Sequence, residues 1–278
     1  MKMRRYETRR GSASFFRAVR SELLRLRRSF LVPLHGVLSS VLGLAAGLYF
    51  AATPWDPLLG YDAFVQLLGA GAPLLAGIAC GLALDAEREA GAYANLLGQP
   101  SRRRAFAAKG VTLLALGAFS CAIAIAAFSV AMAAADRALP AVSALALSWA
   151  GAVAGSVVSY ALFLAAALAW GRNAAIGLGA FGFMCALASL GGLGNGLVTG
   201  TLSASLAPLW VMAVPFVWPA RLASLTAEAF IAQGAYAAPL LANAQICSVI
   251  CLIGTAAVVA VLLAASDRFE TARRTGGE

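Results

Sequence analysis

The sequence predicts an all-α integral membrane protein with six transmembrane helices, on three observations. Of its 278 residues, 61% are hydrophobic. Only 12% are charged, roughly half the share carried by a soluble domain. Uncharged runs of about 18 residues or more, each long enough as a helix to cross the hydrocarbon core of a bilayer, recur six times. So little charge cannot clothe a water-facing surface of this size. The composition argues against a cytosolic enzyme, a disordered protein and a secreted disulfide scaffold.

The predicted spans are residues 31–52, 63–84, 110–135, 141–170, 174–193 and 244–265. The basic stretch before the first span is followed by an apolar run too long for a signal-peptide core, so the first span reads as uncleaved. Pro73, near the middle of the second span, predicts a kink. Between the fifth and sixth spans lies another apolar stretch, 206–219, cut by Pro208, Pro215 and Pro219. Proline removes a backbone donor and breaks helices. The stretch therefore reads as one or two short half-helices at the outer interface, or dipping back into the membrane, with a seventh span as the alternative. Trp210 and Trp218 suit headgroup depth. The organisation is a basic segment over 1–30, a membrane domain over 31–265 and a tail over 266–278.

The net charge of +9 comes from 21 Lys and Arg against 12 Asp and Glu. With six spans, every Lys and Arg except Arg137 and Arg221 falls on the side of the two termini. The positive-inside rule then places both termini in the cytoplasm. The basic excess is an orientation signal, and nucleic acid is set aside as a partner.

Five cysteines, Cys80, Cys121, Cys185, Cys247 and Cys251, all lie in apolar runs without a CxxC spacing. They read as small packing residues rather than a disulfide frame or zinc site. The single histidine, His35, reads as a polar residue at a helix end. Gly43/Gly47, Gly77/Gly81, Gly151/Gly155, Gly192/Gly196 and Gly196/Gly200 stand four apart, the spacing that lets membrane helices approach closely.

Two segments concentrate the chemistry. On a helical wheel over 14–30, Phe15, Phe16, Val19, Leu23, Leu26 and Phe30 share one arc, with Arg17, Ser21, Arg25 and Arg28 opposite. This predicts a basic amphipathic helix along the inner leaflet, its arginines toward anionic headgroups. The loop 85–109 holds three acids and five bases. Asp85, Glu87 and Glu89 are placed where a helix would begin, Gly98 and Pro100 are stop signals, and Ser101 can cap a following helix. The loop could be a solvated face or a docking surface for a cytoplasmic partner.

No Asp, Glu, Lys or Arg lies within the predicted spans. This argues against a proton-coupled antiporter, while sodium coupling through carbonyls and hydroxyls stays open. There is no GxxxxGK[ST] phosphate loop, nucleophile elbow or buried acid pair. No enzymatic activity and no cofactor are expected. Uphill transport would need energy from another subunit.

Glu87-Arg88-Glu89-Ala90-Gly91, Asn95-Leu96-Leu97 and Pro100-Ser101-Arg102, set between spans two and three and behind an amphipathic helix, resemble the permease subunit of an ABC-2 type ABC transporter. The charged E-x-E-x-G opening and the LL…P-x-R close are similar to the lantibiotic or bacteriocin immunity permeases. The resemblance implies that 85–109 forms the coupling helix that docks on the ATPase, with Asp85, Glu87, Arg88, Glu89, Tyr93 and Asn95 facing it. It implies short outer helices over 206–224. It implies a separate ABC ATPase subunit and a second permease subunit, identical or not, as partners within the plasma membrane bilayer. It implies export of an amphipathic peptide or lipid-like cargo. A non-transporting membrane scaffold or sensor partner, or an ion-coupled secondary transporter, is the alternative.

Overall fold

The computed structural model describes residues 14–91, 93, 96, 101–193, 197, 202, 208–232 and 237–265. The described residues are helical, with no strand among them, and six helices are long and apolar enough to cross a membrane. The chain is thus an all-α membrane-type bundle. In order come α1 (Phe15–Leu26), α2 (Leu31–Ala52), α3 (Pro57–Glu89), α4 (Arg102–Ala134), α5 (Val142–Trp170) and α6 (Arg172–Leu193). Two 3-10 turns, Leu209–Ala213 and Pro215–Val217, lead into α7 (Trp218–Ile231), and α8 (Ala237–Ala265) closes the chain.

Helix α2 keeps the predicted bounds of the first span. Helices α3 and α4 outrun theirs. At about 1.5 Å per residue, the 33 residues of α3 reach about 50 Å, well beyond the ~30 Å of hydrocarbon. Asp56 sets the start of α3: its carboxylate accepts from the backbone N–H of Leu58 at 2.8 Å and of Leu59 at 3.1 Å, and Pro57 follows at the first helical position, where its missing N–H is harmless. The helix continues through Pro73 to Glu89. Ser101 caps α4 by accepting from the Arg104 N–H, as its position predicts. Arg137 donates to the carbonyls of Thr53 and Trp55, tying the far end of α4 to the α2–α3 turn.

Three of the five glycine pairs mark three helix contacts. A Cβ at Gly47 would meet the Phe128 carbonyl of α4 at 2.8 Å. One at Gly77 would meet the Ala175 carbonyl of α6 at 2.6 Å. One at Gly155 would meet the Pro219 nitrogen of α7 at 2.5 Å. Close backbone approach replaces side-chain bulk at each crossing. Gly192 lies in α6, while Gly196 and Gly200 lie outside the described residues. Gly155→Val should displace α7, because the obstacle is backbone and cannot rotate away. The folded protein recovered from the membrane should fall sharply, with overpacking costing about 1–3 kcal/mol or more. Wild-type thermal stability in detergent would contradict this.

Helix α7 departs furthest from the expectation of an outer loop. It is buried along nearly its whole length, between α3, α5 and α8. Phe216, just ahead of it, stacks on Phe163 at 5.5 Å and lies at Gly182, where Pro73 of α3 also closes in. Pro73 stands about 24 Å along α3 at ~1.5 Å per residue, so this segment reaches the middle of the bundle. The proline-cut stretch is therefore re-entrant. Trp218 is likewise deep: it is 3% exposed, its indole N–H donates to the Met212 carbonyl, and its ring lies over Gly254 of α8. The indole finds a backbone partner inside the protein, so it does not need headgroup depth. Trp210, 73% exposed, remains at the surface.

Candidate functional site

The end of the bundle that carries α1 holds a network of buried charge. Lys109 on α4 donates to Glu87 on α3 at 2.8 Å and pairs with Glu22 on α1 at 3.1 Å. Arg25 on α1 reaches the same two carboxylates, at 3.2 Å to Glu22 and 3.3 Å to Glu87. The side chains of Lys109, Glu22 and Glu87 are each under 10% exposed, while Arg25 is 43% exposed. Two acids and two bases meet here, and their ion pairs lock three helices together. A cavity of about 190 Å³ lies beside the network.

A second bridge stands one step along α3. Asp85 accepts from Arg88 of its own helix and, at 2.8 Å, from Arg172 at the start of α6. Gly171, at φ +89°, makes the turn that delivers Arg172. A residue with a Cβ rarely adopts that conformation.

The acids of 85–89 end a helix rather than begin one. Negative charge at a helix C-terminus opposes the macrodipole. The bases Lys109, Arg25, Arg88 and Arg172 offset it. Asp85 and Glu87 are thereby turned inward onto their own chain, whereas Arg88 and Glu89 are exposed. Tyr93 is buried in the core cluster that also holds Leu84, Leu96 and Ala105, with its backbone at φ +66°. A bulky residue in the left-handed region costs about 1–3 kcal/mol, which the burial of its ring offsets. Asn95, Gly98 and Pro100 lie outside the described residues. Helix α1 stops at Leu26, short of the predicted 14–30; Arg17 on it and Arg28 in the turn beyond it are exposed, and Arg25 turns to the network. Phe16 and Leu23 are exposed apolar residues of α1, and Phe30, at the start of α2, is exposed as well. Glu22 is the residue that sequence reasoning missed. It is the one acid among the bases of α1, and that isolation was the available signal.

A second polar cluster lies where α7 meets α3. Asp62 accepts from Gln66 Nε2 at 2.6 Å and from Ser224 Oγ at 2.7 Å, and Gln66 also donates to Ser224 at 3.1 Å. Glu228 lies beside Asp62. Arg221 lies near Glu228 and near Cys247 on α8. All five polar residues of α3 and α7 here are 5% exposed or less, and Arg221, Ser224 and Glu228 are fully buried. The spans read as uncharged, yet charge enters the bundle. Asp62 sits one residue ahead of the predicted second span, and Arg221 and Glu228 arrive on the re-entrant helix. Arg221, expected in an outer loop, is the largest fully buried side chain among the described residues.

Deeper in the bundle is a cavity of about 360 Å³, walled by α2 to α6. His35, close by on α2, is 1% exposed and bonds the Leu31 carbonyl through Nδ1 at 2.9 Å. All five cysteines are free thiols, and Cys247 and Cys251 pack on one face of α8 against the core around Trp218. No protein-family model matches the chain, and no curated protein matches it in sequence.

Proposed function

We propose that this chain is the membrane-spanning permease subunit of an ABC-2 type ABC transporter, with its basic end in the cytoplasm. It would export an amphipathic peptide or lipid-like molecule across the plasma membrane with ATP hydrolysed by a separate subunit. Lantibiotic or bacteriocin self-protection is the specific role that the 85–109 resemblance suggests.

One observation carries the reading. Helix α3 runs past the hydrocarbon, and its charged end is braced to α1, α4 and α6 by ion pairs. A push applied there by a partner reaches three helices as one body, which is what a switch between two states of a permease requires. Among the described candidates, Arg88 and Glu89, exposed on that braced base, are the residues left to face an ATPase.

The double variant Arg88→Glu with Glu89→Lys should abolish co-purification with a P-loop ATPase encoded beside this chain, while the bundle still folds. Undiminished co-purification would overturn the docking role. The absence of any neighbouring ATPase gene would favour a scaffold instead.

A second reading has an observation of its own. Two carboxyls and a guanidinium sealed inside a membrane bundle are the groups on which ion pathways are built, so the cluster of Asp62, Arg221 and Glu228 favours an ion-coupled secondary transporter. Transport that persists without any ATPase and stops in Asp62→Asn would favour that reading.

A further inference from the structure

We propose that the cavity among α2 to α6 is a binding site for one aliphatic chain of a bilayer lipid.

Its volume is about 360 Å³, within the range of small-molecule sites. None of its lining residues is charged. The hydroxyls in the wall are largely committed to the protein: Ser39 and Ser120 bond each other at 2.6 Å, and Ser156 donates to the Ala152 carbonyl at 2.7 Å. A headgroup or a peptide amide would find little to bind, and a hydrocarbon chain needs nothing polar.

Depth and access agree with that occupant. Gly71 lies about 21 Å along α3, and Leu42 near the middle of α2, at ~1.5 Å per residue. At that level the surrounding medium is acyl chain, and water is absent. Leu38 and Leu42 of α2 and Leu67 of α3 line the cavity and are also 44–52% exposed on the outer face of the bundle. The mouth thus opens between α2 and α3, continuous with the surface that lipid covers.

Two glycines shape the space. A Cβ on Gly71 would meet nothing within 4 Å. A glycine in mid-helix is unfavourable, and here packing does not require it; its effect is to widen the cavity. Gly117 lets the Tyr160 ring cross α4, since a Cβ there would collide with the Tyr160 hydroxyl. The ring forms the inner wall. Apolar cavities smaller than this one stay dry and take up apolar guests, and an unfilled one forfeits contacts along its whole lining.

The test uses the full chain reconstituted in phosphatidylcholine bilayers doped with a phosphatidylcholine that carries a diazirine midway along one acyl chain. After irradiation, adducts should form on Tyr160, which is 4% exposed, as well as on the exposed Leu252 and Ile253 of α8. Gly71→Phe, which fills the space, should remove the Tyr160 adduct and leave those on α8. Gly71→Leu serves if the larger side chain prevents folding, and should reduce the Tyr160 adduct several-fold. Labelling confined to α8 in the wild type, or a Tyr160 adduct undiminished by either substitution, would overturn the proposal. A transporter reading that failed would leave this test intact, because it needs no ATPase.

Discussion

Lys109→Met is expected to lower the stability of the folded bundle by about 3–5 kcal/mol, the cost of breaking a buried ion pair from one side. The Lys109 ammonium holds Glu22 and Glu87 at 3.1 and 2.8 Å, with all three side chains buried. Without it, two carboxylates remain side by side, and the base that still bridges both is Arg25. Arg25 is 43% exposed, and a half-exposed pair is worth little. The easiest relief is for α1 to lift away and carry Glu22 into water. The expected signs are a lowered thermal transition in detergent and new protease cleavage at Arg17 or Arg20. A double-mutant cycle separates the charge effect from lost packing. Glu22→Gln with Lys109→Met should recover part of the loss, since only Glu87 then needs a partner. An unchanged transition in Lys109→Met would show that the network does not hold α1.

Arg221→Met should have an effect of similar size at the opposite half of the bundle. The guanidinium is fully buried and lies near Glu228 and near Cys247 of α8. It is the one base in a sealed group that includes Asp62 and Glu228. Removing it leaves two acids in a setting where charge is costly. Since α7 carries both Arg221 and Glu228, the re-entrant segment should leave its seat between α3 and α5. A cysteine introduced at Ala220, inert to a membrane-impermeant maleimide in the parent, should then react. Glu228→Gln alone should be milder, because Asp62 keeps Gln66 and Ser224. Arg221→Met protein with full stability and an unreactive Ala220→Cys would contradict this account of the cluster.

The spans were legible because the membrane imposes a one-dimensional rule: about 20 apolar residues without charge. Helix α2 follows it to the residue. The glycine pairs were legible for a similar reason, since spacing alone puts Gly77 and Gly81 on one face toward α6. Three features were not. Helix α3 runs on past Leu84 because the bases of α1, α4 and α6 offset its acidic end, and those partners stand up to 87 residues away in sequence. This turned Asp85 and Glu87 from outward-facing candidates into internal braces. The re-entrant α7 was hidden by its own composition: Pro208 and Pro215 ahead of it, and Pro219 and Arg221 within it, read as an exterior segment, although Arg221 lies near Glu228 inside the bundle. The lipid-chain cavity exists only where five helices meet, so no segment of sequence carries its outline. Glu22 could have been singled out as the lone acid of a basic helix, but its partner Lys109 could not.

The reading as an energy-dependent permease is tested most directly by the ATPase activity of the adjacent-gene subunit, measured in liposomes with and without this chain. The account predicts that wild-type chain raises the activity and that the Arg88→Glu, Glu89→Lys variant, folded and inserted, does not. Activity indifferent to the presence of the wild-type chain would contradict it.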